Sequence, residues 1–233
     1  DDISFEVRAG EIVGIAGVSG NGQTELLQVL SGIRRPTGGT LEVCGRKVDA
    51  SHPADPAEMR DLGVAHVPED RLRQGLVPAF LASETSILGY QDREPFCRNY
   101  LLDGPAVGKH CAELMERFDV RPRTPGQLSS SFSGGNQQKL ILAREMAGHP
   151  RLLLVGQPTR GVDIGAIEFI RRELIASRDA GCAVLVVSVE LEEILSLADR
   201  ILVMSGGRIV GEVAAADADE RTLGLMMTGA RAA

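Results

Sequence analysis

With 233 residues and 43% hydrophobic content the chain can bury one large core or two small ones; aromatics are 3% and Trp is absent, so that core must be aliphatic. A net charge of −7 with no basic run argues against a nucleic-acid surface. The longest apolar runs, residues 152–155 and 183–187, are strand-sized, far short of the ~20 residues a membrane-crossing helix needs.

Four cysteines, Cys44, Cys97, Cys111 and Cys182, share no C-x-x-C spacing and read as separate thiols of a reducing cytosol. His110-Cys111 with Cys97 is not a metal pattern. No signal peptide is legible. The chain opens on Asp1-Asp2-Ile3 without Met and runs at once into a strand-like segment, so it reads as a piece of something longer.

In chain order, residues 3–7 and 11–16 are expected as strands joined by an Ala-Gly turn. Residues 23–30 (QTELLQVL) have helical periodicity. Residues 40–43 and 46–48 form a hairpin-like pair around Gly45; 56–61 reads as a short helix and 64–67 as a short strand. From 78 to 133 the chain turns polar, helical and loop-rich, with an amphipathic helix over 107–118. Helices follow at 135–147, 165–179, 190–197 and 221–227, and strands at 152–155, 183–188, 200–204 and 208–213, the last two around Gly206-Gly207. Continuously apolar strands alternating with helices imply a parallel sheet covered on both faces. The partition expected is a single domain with a core over 1–77 and 134–233 and a helical subdomain over about 78–133.

The most informative stretch is GVSGNGQTE, residues 17–25, directly after an apolar strand. It has the outline of a phosphate-binding P-loop, G-x-x-x-x-G-K-[ST], with Gln23 at the lysine position. Glycines at 17, 20 and 22 are expected to take φ > 0 and let the backbone approach a ligand. Successive N–H groups there form an anion nest, and the following helix N-terminus adds its dipole. Gly17, Val18, Ser19, Gly20, Asn21, Gly22, Gln23, Thr24 and Glu25 are therefore the candidate nucleotide contacts, with the Thr24 hydroxyl in the Mg²⁺ position. The alternative is an ordinary glycine-rich strand–turn–helix connection.

Residues 131–145, SFSGGNQQKLILARE, resemble the signature motif of ATP-binding cassette (ABC) ATPases, with Ser133, Gly134, Gly135, Asn136 and Gln137 in the LSGGQ place. LLLVGQPTRGVD, residues 152–163, is similar to their Walker B strand and D-loop. Val67-Pro68-Glu69-Asp70-Arg71 falls where the Q-loop belongs, Val187-Ser188-Val189-Glu190 where the switch histidine belongs, and residues 199–204 resemble the strand that follows. The elements are in order over essentially the whole chain. GNQQK, PEDR and QPTRGVD together resemble the C-terminal, degenerate cassette of ATPases that import simple sugars and nucleosides, proteins with two cassettes in one polypeptide; GNGQTE leans towards the nucleoside type.

The resemblance implies an α/β, RecA-like P-loop NTPase core with a small antiparallel β-subdomain and a helical insert. It implies ATP and Mg²⁺ as cofactors, with Thr24 and Glu69 as metal positions and Asp163 in the D-loop. It implies as partners an N-terminal cassette, transmembrane permease subunits and, indirectly, a solute-binding protein, with no nucleic acid, on the cytoplasmic face of the cell membrane. It also places an adenine-stacking aromatic upstream of Asp1. Position by position the catalytic groups are substituted. The lysine is Gln23, the Walker B aspartate is Gly156, the general base is Gln157, the switch histidine is Val189 and the Q-loop glutamine is Glu69.

Plainer readings stand beside these. Ser133 is a plausible N-cap and Asp163 a helix cap. Glu69-Asp70 has a solvated turn with Arg71 as its surface partner as the alternative, and Gln157 a satisfied buried amide rather than a water-orienting group. Residues 76–81 are core or a docking face. The rivals for function are an active stand-alone ATPase and a soluble ABC protein acting on nucleic acid or ribosomes.

Overall fold

The computed structural model of the chain describes residues 2–228. In order it forms β1 (Ile12–Ala16), α1 (Gln23–Leu30), β2 (Thr40–Val43), β3 (Arg46–Asp49), α2 (Pro56–Asp61), β4 (Val64–Val67), a π-helical turn (Arg71–Gly75) and α3 (Ala82–Thr85). Next come β5 (Cys97–Arg98), β6 (Leu101–Leu102), α4 (Gly104–Arg117), α5 (Gly134–Met146), β7 (Leu152–Gly156) and α6 (Ile164–Asp179). The chain continues through β8 (Ala183–Ser188), α7 (Leu191–Leu197), β9 (Arg200–Ser205), β10 (Arg208–Ala214) and α8 (Glu220–Met227).

A six-stranded sheet has the order β10-β9-β1-β8-β7-β4. β1 runs parallel to both β8 and β9, and β7 parallel to β8. These central strands are buried on both faces, as their unbroken apolar runs predict. The sheet is nonetheless mixed. β10 returns antiparallel to β9 through the Gly206-Gly207 turn, and as an edge strand it alternates exposed and half-buried residues. β2 and β3 pair as a separate hairpin; Cys44 (φ 52°) and Gly45 (φ 86°) both take the left-handed conformation that a tight hairpin turn requires.

Residues 3–7 depart from expectation: they are not a strand among the described residues. Ile3, Phe5 and Val7 lie half-buried against the core while Ser4 and Glu6 face outward. Such alternation reports one-sided burial, which an extended segment lying on a core shows without a pairing partner.

The chain divides into two compact units. One comprises the described residues up to His66, with His149–Pro158 and the described residues from Arg171 onward. Its aliphatic core joins Val13 and Ile15 of β1, Leu27 and Leu30 of α1, Val43 and Val48 of the hairpin, Leu154, Leu185 and Leu202. The other comprises Val67–Gly148 and Thr159–Ile170. Phe118 is fully buried there, edge-on to Phe169 with ring centroids 6.2 Å apart. An ion pair between Arg144 and Glu145 is buried in the same unit. Arg144 Nη1 also donates to the carbonyls of Gly75 and Thr85, and Tyr90 Oη donates to Glu145.

Candidate functional site

In the sheet-bearing unit, three candidate segments leave the carboxyl ends of adjacent strands. The register sets Ala16 beside Ser188 and Gly156 beside Val187. The loop after β1, Gln157 after β7 and Val189 after β8 therefore emerge together, at the end of a parallel sheet where ligands of such folds bind.

Two glycines of the loop take the conformation the sequence predicts. Gly20 has φ 88° and Gly22, the N-cap of α1, φ 101°, both left-handed. Gly17 differs from expectation: its φ is not in that region. It is needed for space, since a Cβ there would collide with the Gln23 amide nitrogen and lie 2.6 Å from the Met204 carbonyl oxygen. Val18, Ser19, Thr24 and Glu25 are exposed. Gln23 is buried, and its Nε2 donates to the Val18 carbonyl at 3.2 Å, turning back on its own loop.

Asn21 is fastened elsewhere. Its Nδ2 donates to the Met204 carbonyl at 3.3 Å, its Oδ1 accepts from the Gly206 N–H at 3.2 Å, and its backbone carbonyl accepts from Gly207 at 3.1 Å. The residues before and inside the β9–β10 turn are thus part of the loop's architecture. No local pattern announces that, because the partners lie 183 and 185 positions away.

Gly156 ends β7 and offers no side chain. Gln157 is buried, with φ 48°, left-handed for a non-glycine residue. Its N–H donates to the Val187 carbonyl at 2.8 Å, and its Oε1 accepts the Val189 N–H at 3.4 Å. The reading of Gln157 as a bonded buried amide matches this geometry. The bond also joins the residue that follows β7 to the residue that follows β8.

The second unit carries the signature. Ser133 is the exposed N-cap of α5; its Oγ accepts from the Asn136 N–H at 3.4 Å and from Asn136 Nδ2 at 2.9 Å. Asn136 Oδ1 accepts from the Arg121 N–H at 2.7 Å, and the buried Gln137 donates to the Ser129 carbonyl at 3.0 Å. Asn136 and Gln137 thus brace the turn that presents Ser133 and Gly134. Asp163 caps α6, accepting from the Ala166 N–H at 2.9 Å, and its other oxygen lies 2.7 Å from where a Cβ on Gly135 would be. The signature and D-loop segments are brought together here by the absence of a side chain.

Glu69 is half-buried in this unit, and Asp70 caps the π-helical turn through the N–H groups of Leu72 and Arg73, both at 3.1 Å. Arg71 corrects the plainer sequence reading. It reaches away from the acidic pair, Nη1 donating to the Arg160 carbonyl at 2.8 Å and Nη2 to the Gly161 carbonyl at 3.3 Å. Of the apolar stretch 76–81, Leu76 is core while Phe80 is exposed.

The residues fit a phosphate better than a metal. The glycine frame presents backbone donors at a helix N-terminus without any cationic side chain. For Mg²⁺, the strand end that would supply a carboxylate supplies Gly156, and the next oxygen, Gln157 Oε1, accepts from the backbone.

A parallel-centred α/β sheet with a glycine-rich loop leading from its first strand into a helix, and a separate helical unit carrying a serine-capped helix, is the architecture of an ATP-binding cassette. Accordingly, the family model described as ABC transporter matches residues 1–160. The chain is 45% identical over 227 residues to the nucleoside import ATP-binding protein NupA of Lactococcus lactis, covering 97% of this chain and 44% of that one. It is 42% identical over 228 residues to the guanosine import ATP-binding protein NupO of Bacillus subtilis, covering 98% and 44%. It is 40% identical over 233 residues to the ribose import ATP-binding protein RbsA 1 of Rubrobacter xylanophilus, covering 100% and 46%. The chain spans less than half the length of these relatives. The fold matches the dimeric post-hydrolysis ATP-binding cassette MJ0796 bound to ADP and Pi, with a TM-score of 0.75 at 23% identity over 91% of this chain and 89% of that one. It also matches a nucleotide-free cassette, with a TM-score of 0.77 at 20% identity over 98% and 88%. The chain belongs to the ABC transporter family, as an ABC ATPase domain homologous to sugar and nucleoside import ATP-binding proteins. Among the described residues, no helix is long and apolar enough to cross a membrane.

Proposed function

We propose that the chain is the degenerate C-terminal cassette of an importer for a simple sugar or nucleoside. In this reading it donates Ser133–Gln137 to ATP held by an N-terminal cassette of the same polypeptide. It couples that ATP to permease subunits on the inner face of the membrane, which a solute-binding protein supplies. The import names of the relatives, and the share of their length that the chain spans, support this reading.

The observation that carries it is the bond from the Val189 N–H to Gln157 Oε1, next to Gly156. An amide committed to the backbone stands where a water-activating carboxylate belongs, and it cannot accept a proton. Losing a general base costs ~10²–10⁴ in rate. Replacing a charged phosphate contact by Gln23 costs roughly 1.5–3 kcal/mol, about 10- to 100-fold in affinity. The signature keeps its parts: an exposed Ser133 hydroxyl and N–H groups at the start of the thirteen-residue α5, suited to charge on a phosphoryl group held in trans.

The test compares Gly134→Asp with Thr24→Ala in the full-length protein assembled with its permease. A Cβ on Gly134 would meet Arg71 Nη2 at 2.6 Å and the Gly161 carbonyl oxygen at 2.9 Å, and the carboxylate would repel phosphate. Gly134→Asp is expected to abolish transport-coupled ATP hydrolysis and Thr24→Ala to reduce it modestly. Equal damage from both would make this P-loop a working catalytic site and overturn the reading.

A further inference from the structure

Arg71 occupies a junction that the signature, the D-loop and the segment after β4 all share. Its guanidinium bonds the carbonyls of Arg160 and Gly161 and lies so close to Gly134 that any side chain there would strike Nη2. Its Nε is buried with no hydrogen-bond partner among the described residues. The fork is planar and rigid, and it fixes two carbonyls at once in a way that an ammonium on a flexible stem does not.

We propose that Arg71 is a positioning residue that sets the spacing between residues 159–163 and the N-terminus of α5. The two segments then meet a nucleotide held by another cassette as one rigid edge. The inference rests on the reading that the signature acts in trans. Gly134 and Arg71 are two halves of one device: the missing Cβ admits the guanidinium, and the guanidinium ties the loop of Arg160 and Gly161 beside the Ser133 cap. Misplacement of such an edge by an ångström is enough to cost up to ~10²-fold in rate.

The experiment uses the full-length protein with its permease and compares Arg71→Lys, Arg71→Met, Gly134→Ala and Gly134→Ala/Arg71→Met, with Ser133→Ala as the control for the trans reading. Arg71→Met is expected to lower kcat for transport-coupled ATP hydrolysis about tenfold or more. KM for ATP should stay near the parent value, because another cassette holds the nucleotide, and the thermal midpoint should move little. Arg71→Lys should recover only part of kcat. Amide hydrogen exchange at residues 159–163 should quicken in Arg71→Met. The double variant should be less impaired than the product of the two single losses, because the Gly161 carbonyl oxygen that the added methyl would meet at 2.9 Å belongs to a loop that Arg71→Met has already released. A loss of kcat that tracks the thermal midpoint, full rescue by lysine, or strictly multiplicative effects would overturn the proposal. If Ser133→Ala is damaging while Arg71→Met is silent, this inference alone fails. A silent Ser133→Ala sinks the trans reading itself.

Discussion

Gln23 Nε2 donates to the carbonyl of Val18, five residues earlier in the same loop, at 3.2 Å. The side chain at the position of the phosphate-pairing lysine is neutral, buried and already engaged with the backbone. Binding of Mg-ATP must then rest on the loop's backbone donors and hydroxyls, without a cationic partner at residue 23. Isothermal titration of the isolated domain is expected to give weak heat or none. Tight, Mg-dependent binding would show that other side chains replace the missing ligands.

Gln157→Glu is expected to leave steady-state phosphate release from the purified domain at background. A carboxylate there is a possible base, but its oxygen takes over the contact with the Val189 N–H, and Gly156 still offers nothing to a metal. A rise on the order of 10²-fold or more would mean that the base was the only defect.

Glu11 predicts an acid-sensitive component of stability. Burial raises its carboxyl pKa, but the hydrogen bonds from Arg200 and from the Arg8 N–H outweigh that, and the net value lies below the ordinary 4.5. The carboxylate accepts from Arg200 Nε at 2.9 Å and Nη2 at 3.2 Å. A carboxylate with a depressed folded-state pKa contributes stability that is present above its unfolded value and lost as pH falls through the folded one. Glu11→Gln should lower the urea-unfolding free energy at pH 7 by on the order of 1 kcal/mol. The gap to the parent should close as pH falls below about 4.5. A gap unchanged from pH 7 to pH 3 would show that the charge contributes nothing.

Much of the architecture was legible because it is written locally. Residues 23–30, 56–61, 64–67 and 183–188 form the elements that their periodicity and punctuation predict, with the same ends. The short β5–β6 hairpin and the π-helical turn carried no such signal: two-residue strands have no period to read. The site divides the same way. Ser133 as an N-cap and Asp163 as a helix cap follow from neighbours within three residues. The reach of Arg71 was not legible because its carbonyl acceptors lie 89 and 90 residues away, and backbone carbonyls look alike in any sequence. Gly17 was assigned a conformational reason when its reason is steric, a distinction that only the position of the Gln23 amide reveals.

The three bonds from Asn21 to Met204, Gly206 and Gly207 give the phosphate loop a memory of its shape that owes nothing to phosphate. In a loop kept in form by its ligand, loss of the lysine and the carboxylate would let the backbone drift, and the strand ends around it would lose a neighbour. Here the form is stored in the turn of the neighbouring β9–β10 pair. Side chains of this loop can then change one at a time while its backbone keeps its form.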